Sequence, residues 1–389
     1  MIKLLDLGEQ PLSARLLCTE SAEEQIFPIG LVQNPETGLI QLENTVPYVE
    51  LVRQFDWAVY REPEAHLDGV VERFLQYRGG SGRLSVAGLS IKDWSLVERF
   101  QQAGHSGWVI DPSEDLQISG NCGVETIQAV LSESIASSIA QVRGKADLVI
   151  ARHIWEHTYD LQGLSSAVHQ LLKDDGLLLV EVPDCEPLIT NFDYTMIWEE
   201  HSYYFTSGTL LNCLRQAGFF SRLTTKIRSD SEDLILIMAD TNHQDTCSVE
   251  KFSLPKELEN GRSYSRHFEQ TKRAWKTCLQ EFKEQGPVIL FGVGHLSISF
   301  VNYLNLGDFI DLAVDDNQHK QGRYLPGSRI QIMPTDEIRR RRPSLVLLGF
   351  ALDPNMLSRS RWKEMIGIGI TVKSIFSSSP LSTPQTVLE

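Results

Sequence analysis

The chain has 389 residues, a length that suggests two or three domains at about 150 residues each. Its 36 lysines and arginines against 51 aspartates and glutamates give a net charge of −15, which argues against a general nucleic-acid or anionic-membrane binder. The six cysteines are scattered and form no C-x-x-C pair, so they indicate neither a disulfide framework nor a zinc knuckle.

The first ten residues, MIKLLDLGEQ, include acidic side chains and no long apolar run. We therefore expect no signal peptide. No stretch reaches the roughly 18 apolar residues that a transmembrane helix needs. Together with the scattered thiols, this pattern predicts a soluble, cytoplasmic protein that has neither a membrane nor a nucleic acid as a partner.

Residues 1–60 are predicted to form a small β-rich module. Strand-like runs at 26–33 and 39–42 are separated by the turn residues 34–38, since Asn, Pro and Gly favour turns. Apolar residues at helical spacing then predict a helix over 64–76.

Residues 61–250 alternate between strand-like and helical segments. Such alternation is typical of a parallel, doubly wound sheet with helices on both faces. The predicted strands lie at 83–88, 107–110, 147–151, 177–182 and 234–238. The predicted helices lie at 94–103, 125–141, 164–173 and 209–217, with a turn at 174–176.

Residues 251–285 are predicted to form a charged connecting helix, and 286–389 repeat the alternation. Strands are predicted at 287–291, 312–314, 343–348 and 371–375, with a helix that ends near Tyr303. The Ser/Pro/Thr-rich stretch 377–384 is predicted to fray. The expected fold class is α/β, with two tandem Rossmann-like doubly wound sheets and a small N-terminal β-rich module.

Ligands of an open α/β sheet bind beyond the carboxyl ends of the strands. In the first unit, Gly88 permits a tight turn there, but no second glycine follows, so a plain strand–helix turn is an alternative. Asp111 ends the second strand. Its carboxylate suits the two hydroxyls of a ribose, or it is a solvated turn residue before a proline.

The second unit offers half of a dinucleotide fingerprint. Gly292 and Gly294 form a Gly-x-Gly pair, and Asp315 follows 21 residues after the second glycine, which makes NAD a competing ligand. Ser297 stands where the third glycine belongs. It weakens that interpretation, because the third glycine normally allows close helix–strand packing.

The densest chemistry lies between the two units, at 152–157 and 194–205. These segments combine histidines, glutamates and several aromatic residues, which is typical of a small-molecule site. Histidine suits proton abstraction near neutral pH, and a neighbouring glutamate can hold its ring. Two alternatives are that His157 and His201 are packed structural residues and that Glu199 and His201 ligate a metal.

Together these segments resemble the S-adenosylmethionine-dependent sugar C-methyltransferases, which methylate a carbon of nucleotide-linked keto-deoxysugars. The resemblance covers nearly the whole chain, and the segment 198–205, WEEHSYYF, is similar to the family's Tyr-His-Glu-His signature. Further similar segments are 5–12, 30–33, 38–42, 151–157, 180–184, 291–294 and 314–327.

The chain departs from the family pattern at three places. Asn34 and Thr37 stand where the family has its second pair of zinc cysteines, and the first pair is missing. A structural zinc of this kind needs four ligands, so we predict no zinc and no other metal. The glycine-rich cofactor loop is reduced to residues 87–90, and Trp198 replaces a tyrosine.

The resemblance implies a role for each residue of the site. His201 would remove a proton from the acceptor carbon, Glu200 would orient His201 and stabilise its imidazolium, and His157 would hydrogen-bond the developing enolate oxygen. The predicted cofactor contacts are Gly88, Ser90, Asp111, Arg152 and His153. The predicted substrate contacts are Trp198, Tyr203, Gly292, Gly294, His295, Lys320 and Arg323, with Arg152, Lys320 and Arg323 as candidates for a nucleotide diphosphate.

The expected function is thus methyl transfer from S-adenosylmethionine to a carbon next to a carbonyl in a nucleotide-sugar-like small molecule. Two other functions compete with it. The lost cysteines and the reduced glycine loop suggest a binding protein that has lost catalysis, and the Gly292 turn suggests an NAD-dependent oxidoreductase. The oligomeric state is open, with a homodimer among the options.

Overall fold

The computed structural model describes residues 1–52, 55, 63–79, 82–228, 233–242, 252–350, 367 and 369–376. Within these residues the strands form three sheets, of four, six and five strands. No helix of this part of the chain is both long and apolar enough to cross a bilayer. The stretch 377–384, for which fraying is predicted, lies outside the described residues.

The first sheet is antiparallel and has the order β1-β2-β3-β8. Its strands are β1 (Ile2–Pro11), β2 (Ile26–Gln33), β3 (Ile40–Leu42) and β8 (Tyr203–Tyr204). The predictions of β2, β3 and the turn between them are confirmed. In that turn the Asn34 side-chain oxygen accepts hydrogen bonds from the amides of Glu36 (2.8 Å) and Thr37 (3.2 Å).

Strand β8 comes from the segment 198–205, far along the chain from the rest of this sheet. Tyr204 pairs with Ile40, and the amide of Leu42 donates to the carbonyl of Ser202 over 3.0 Å. The amide of Tyr203 donates to the carbonyl of Glu156 over 3.1 Å. The N-terminal module therefore fixes one flank of the histidine-rich segment.

The central sheet has the order β5-β4-β6-β7-β10-β9. Its strands are β4 (Ser85–Gly88), β5 (Ser106–Val109), β6 (Ala146–Arg152), β7 (Leu172–Pro183), β9 (Phe220–Ile227) and β10 (Leu234–Asp240). The pairs among β5, β4, β6 and β7 are parallel, whereas β10 runs antiparallel to both β7 and β9. The prediction of a wholly parallel sheet is therefore wrong at this edge.

Helices cover both faces of the central sheet, as predicted. Leu148 and Ile150 of β6 share one hydrophobic cluster with α1 (Leu67–Arg78) and α2 (Trp94–Gln102). The intervening residue Val149 belongs to a second cluster on the opposite face. The helices of that face are α3 (Val124–Val130), α4 (Glu133–Arg143), α5 (Leu161–Leu171) and α7 (Ser207–Gln216).

Two local predictions in this unit are wrong. The single helix predicted over 125–141 is divided into α3 and α4, because Ser132 caps α4 by accepting a hydrogen bond from the amide of Ile135. The residues 174–176 lie inside β7 instead of forming the predicted turn between a helix and a strand. There the pairing of β7 with β6 shifts in register, so the turn-forming residues produce an irregularity within the strand.

The C-terminal sheet is parallel and has the order β13-β12-β11-β14-β15. Its strands are β11 (Val288–Phe291), β12 (Leu312–Val314), β13 (Ile332–Met333), β14 (Leu345–Leu348) and β15 (Thr371–Ser374). The remaining helices are α6 (Glu186–Thr190), α8 (Leu254–Lys283), α9 (His295–Tyr303) and α10 (Glu337–Arg341). The predicted α/β class with two Rossmann-like sheets is thus confirmed.

One hydrophobic cluster joins the first sheet, the segment before β8 and the C-terminal unit. It contains Ile40, Tyr204, Val293 and Phe300. Helix α8 is tied to the same segment, since the Tyr194 hydroxyl donates to the carbonyl of Tyr264 over 2.7 Å. The segment 194–205 therefore lies where the N-terminal module, the central sheet and the C-terminal unit meet.

Candidate active site

The loop after β4 is closed by one of its own side chains. The Asp93 carboxylate accepts hydrogen bonds from the amides of Leu89 (2.8 Å), Ser90 (2.9 Å) and Arg152 (2.8 Å). Complete burial raises the pKa of Asp93 to about 7. Gly88 and Ser90 thus lie at the carboxyl edge of the sheet, as predicted, but the amides of this loop are bonded within the protein.

Gly88 is required by this packing. A β-carbon there would lie 2.7 Å from Cβ of Asp93 and 3.1 Å from Cγ2 of Val109. We expect Gly88→Ala to lower the free energy of unfolding by about 1–3 kcal/mol through overpacking, measured by urea denaturation. The control is Gly69→Ala in α1, where the space around the glycine is open and alanine favours the helix. Equal stability of Gly88→Ala and the wild type would contradict this packing.

Asp111 follows β5 and is exposed. Its Oδ1 accepts hydrogen bonds from the amides of Ser113 and Glu114, both over 2.8 Å, while Oδ2 makes none with the described residues. The neighbouring amide of Ile110 donates to the carbonyl of Gly88 over 2.9 Å. The carboxylate therefore stands beside the β4 loop with one oxygen available to a ligand.

Arg152, Glu181 and two histidines form a buried charge network beneath this loop. The Arg152 guanidinium is 1% exposed and donates to Glu181 over 2.7 Å and to the carbonyl of Lys92 over 2.9 Å. Glu181 also lies 2.6 Å from Nε2 of His66 and 3.5 Å from Nε2 of His153. Although burial opposes it, these partners lower the pKa of Glu181. Arg152 and His153 are thus tied into the protein interior.

The candidate catalytic residues come together from three parts of the fold. The rings of His157 and His201 are 4.7 Å apart between centroids, and Trp198 lies 4.8 Å from His201. Trp198 also stacks on His295, the first residue of α9, at 4.0 Å. The loop after β6, the segment 198–201 and the C-terminal unit therefore share one aromatic and imidazole cluster.

The pKa values of the two central histidines are displaced in opposite directions. Burial and the nearby charges of His157 and His295 depress the pKa of His201 well below its usual value. Burial also opposes the charge of His157, but an ion pair with Glu125, at 3.0 Å between Nδ1 and Oε1, raises its pKa overall. The cluster thus pairs a neutral imidazole with one that favours its proton.

Glu200 belongs to the Glu125 side of this cluster. Burial and the charges of Glu125 and Glu199 raise the pKa of Glu200 well above its usual value, and carboxyl oxygens of Glu200 and Glu125 lie within 4.8 Å of each other. Among the ion pairs of the described residues, none joins Glu200 to His201. The raised pKa favours a protonated Glu200 carboxyl group beside Glu125, and the role of Glu200 in orienting His201 stays a prediction.

Glu199 points to the N-terminal module. Its Oε1 accepts hydrogen bonds from the amide (2.6 Å) and the hydroxyl (2.7 Å) of Ser13, so it anchors the segment and does not approach the histidines as a metal-ligand pair would. Tyr203, on β8, is half-buried, and burial raises its pKa to about 12.

Ligand-capable atoms are close together in two groups of the cluster. The groups are Glu156, His157 and His201, and Glu125, His157 and Glu200, each with its atoms within 4.8 Å of one another. In the second group, Glu125 and His157 form the ion pair just described. Glu156 is 1% exposed, and neither of its oxygens is hydrogen-bonded, although Nδ1 of His153 lies 3.3 Å away.

The glycine turn after β11 is held from within. Asp315 accepts hydrogen bonds from the amide of Val293 (2.9 Å) and from Nζ of Lys320 (3.0 Å). The carboxylate that an NAD site would direct at a ribose is therefore engaged by the fold. Gly292 has a φ of +89°, and a β-carbon there would meet the Phe350 ring at 2.6 Å.

Two further predicted substrate residues, Gly294 and Arg323, lie in different surroundings. Gly294 is exposed, and the space beside its α-carbon is open. Arg323 donates to the carbonyl of His319 over 2.9 Å, and its guanidinium lies 4.7 Å from the Phe55 ring and 3.3 Å from the Cys18 sulfur. These contacts place Arg323 against the N-terminal module and not in the histidine cluster.

Comparison with known proteins identifies the family. A methyltransferase-domain model matches residues 66–220, and a model of the C-methyltransferase C-terminal domain matches residues 226–360. The C-methyltransferase NovU of Streptomyces niveus is 25% identical over 363 residues, which are 89% of this chain and 86% of that protein. The chain belongs to the family of S-adenosylmethionine-dependent C-methyltransferases.

Solved methyltransferases match the chain only in part. The 1,6-didemethyltoxoflavin N1-methyltransferase of Burkholderia thailandensis is 13% identical, with a TM-score of 0.34, and covers 55% of this chain and 96% of its own. The glycopeptide N-methyltransferase MtfA is 15% identical, with a TM-score of 0.29, and covers 47% of this chain and 100% of its own. Scores this low add nothing to the topology described above.

The residues at the carboxyl edge of the central sheet fit the family's methyl donor at two points. The unbonded Oδ2 of Asp111 suits a ribose hydroxyl, and the buried Glu156 carboxylate, without a hydrogen bond on either oxygen, suits a cationic group. The amides of Leu89 and Ser90 offer no such site, because Asp93 already occupies them.

Three buried glutamates beside the site were not predicted from the sequence as part of it: Glu125, Glu156 and Glu181. Glu125 is in the first turn of α3, where an acidic residue is ordinarily explained by the helix dipole. Its partner His157 is 32 positions away, so no local spacing reveals the pair. Glu156 could have been predicted from the sequence, because it directly precedes His157 in the loop at the carboxyl edge of the sheet.

Proposed function

We propose that this C-methyltransferase acts on a carbon next to a carbonyl group, in a nucleotide-linked keto-sugar, after His201 has removed a proton from that carbon. One observation carries the proposal: two imidazoles in contact, His157 and His201, have pKa values displaced in opposite directions. Pairs of titratable groups with divergent pKa values are how enzymes assign a base and an acid within one site.

Each protonation state suits one part of the reaction. A neutral His201 can accept the proton of the acidic C–H bond. A protonated His157 can donate a hydrogen bond from Nε2 to the carbonyl oxygen, where negative charge develops as the enolate forms. When bound, S-adenosylmethionine supplies an electrophilic methyl group. Trp198, between His201 and His295, forms an apolar wall for the acceptor.

The nucleotide part of the acceptor is assigned to the C-terminal unit. Of the three predicted basic contacts, Arg152 is buried in its own network and Arg323 lies against the N-terminal module. Helix α9 begins at His295, beside the exposed Gly294 and the Trp198 ring. A helix N-terminus attracts anions, which supports placing the diphosphate there. Lys320, which is ion-paired with Asp315, is the adjoining cation.

The test is deuterium exchange in D2O with a panel of nucleotide-linked keto-sugars. With S-adenosylhomocysteine in place of the methyl donor, we expect the protein to exchange the C–H next to the carbonyl of its acceptor. With S-adenosylmethionine, the same acceptor gains one methyl group by mass spectrometry. The matched control is the same sugar with the carbonyl reduced to an alcohol. Methylation of that alcohol, or methylation of a ketone without exchange at its neighbouring carbon, would contradict the mechanism.

We also propose that the protein works in a reducing, cytoplasmic compartment. Cys18, Cys122, Cys185, Cys213 and Cys278 are all free thiols, which supports this location. A homodimer remains a prediction.

A further inference from the structure

We propose that Glu125 is a positioning residue for this reaction, which holds His157 through Nδ1 and thereby presents its Nε2–H to the oxygen of the acceptor. The inference rests on the proposed function, because it takes His157 as the group that stabilises the enolate. It adds a residue that no part of the sequence pattern assigned to the site.

The local fold directs the Glu125 carboxylate. Gly123 is the N-cap of α3 and has no side chain to contribute a cap. A β-carbon at Gly123 would lie 2.5 Å from Oε2 of Glu125, so the glycine leaves the space that the carboxylate occupies at the helix N-terminus. The other oxygen, Oε1, then lies 3.0 Å from Nδ1 of His157.

Both members of this pair are almost completely buried, with Glu125 7% and His157 5% exposed. A buried charge is costly unless it is paired, so each group stabilises the charged form of the other. The partial positive charge at the start of α3 also favours the carboxylate. The position therefore favours an ionised glutamate beside a protonated imidazole.

The charge of Glu125 matters because the protonation state of an imidazole decides which of its two nitrogens can donate a hydrogen bond. A neutral ring whose Nδ1–H is bonded to a carboxylate has a lone pair on Nε2, and such a ring accepts hydrogen bonds there. Only the protonated ring donates from both nitrogens. Without the carboxylate, His157 would lose its second proton more readily, and the neutral ring donates from Nε2 only in its Nε2–H tautomer.

The other groups that face His157 come from three elements. Glu156 is its neighbour in the loop after β6, Lys92 lies in the loop after β4, and Glu200 and His201 come from the segment before β8. Lys92 opposes the imidazolium, while Glu156 supports it. Glu200 lies beside Glu125, with carboxyl oxygens within 4.8 Å of each other, and adds no charge while it keeps its proton.

The test follows the His157 ring by NMR in the full chain labelled with 15N-histidine, in the presence of a chelator. The signal is assigned by its loss in His157→Asn. In Glu125→Gln we expect the His157 titration to move about one pH unit or more towards acid, because an adjacent opposite charge typically moves a pKa by 1–3 units. Glu200→Gln is the matched control. The amide reproduces the donor of a protonated carboxyl group, so the titration should stay in place.

A second variant covers the case in which Glu125→Gln fails to fold. Gly123→Ala keeps the carboxylate but displaces it, so the titration should again move towards acid. Once an acceptor substrate is identified, Glu125→Gln should lower kcat and leave KM nearly unchanged. The loss of rate at alkaline pH should begin at a lower pH than in the wild type. Glu125→Asp, which keeps the charge, should recover part of the rate.

The outcomes separate this inference from the proposed function. An unchanged His157 titration in Glu125→Gln, or in Gly123→Ala if the first variant is unfolded, overturns the role of Glu125 whatever the activity. A displaced titration with an unaltered pH–rate profile also overturns it, because the pair would then be structural only. Absence of deuterium exchange in the wild type, with the titration displaced as expected, would instead count against the proposed function.

Discussion

Replacing His201 with alanine is expected to reduce deuterium exchange of the acceptor and methyl transfer together, by about 10²–10⁴-fold. The physical reason is that the cluster holds this ring neutral through burial and through the charges of His157 and His295, so it is the proton acceptor ready at neutral pH. His157 cannot replace it, since its ion pair with Glu125 favours the protonated ring.

The measurement compares three proteins in the same exchange assay. His267→Ala, in α8, is the control: His267 stacks on Phe192 and lies outside the cluster, so exchange should persist. Calorimetry with S-adenosylmethionine should give His201→Ala an affinity within a few-fold of the wild type. If His201→Ala exchanged the acceptor proton at the wild-type rate, the base would have to be sought elsewhere in the cluster.

Strand and helix positions follow from the sequence where periodicity is uninterrupted. The long charged helix α8 (Leu254–Lys283) and strand β2 (Ile26–Gln33) fall close to their predicted bounds. Strand β1 (Ile2–Pro11) was missed, because its pairing with β2 shifts twice and Gly8 has a φ of +70°, which breaks the alternation of apolar and polar residues.

Strand direction could not be predicted in the same way. The run LILIM in β10 (Leu234–Asp240) shows that the strand is buried on both faces, and burial on both faces is typical of parallel sheets. Here it belongs to an antiparallel strand between β7 and β9. Because apolar content records burial and not orientation, the antiparallel edge follows only from the paired register.

The histidines of the site were predictable from their segments, but their partners were not. Glu125 lies 32 positions from its partner His157. Glu181 lies 115 positions from His66 and 28 positions from His153, the two histidines beside it. Arg152 shows the converse difficulty. A basic residue at the end of a strand can face a ligand or complete a buried charge network, and only the positions of its partners decide between them.

Arg152→Met is expected to lower the free energy of unfolding by about 3–5 kcal/mol, because it leaves the buried Glu181 carboxylate without its main cation. Glu181 is fully buried and receives the Arg152 guanidinium over 2.7 Å. His66 and His153 remain beside it and would compensate in part. Urea denaturation of the full chain, monitored by circular dichroism, measures the change.

The double variant Arg152→Met/Glu181→Gln supplies the decisive comparison. It removes both charges, so it should regain a large part of the stability that Arg152→Met loses, since an uncompensated buried charge costs more than a missing pair. Exposed Arg273→Met on α8 is the control for loss of a guanidinium alone. If Arg152 instead served mainly to bind a ligand, Arg152→Met would keep its stability and lose affinity for S-adenosylmethionine or the acceptor. That result would contradict a structural role of Arg152 in the buried network with Glu181.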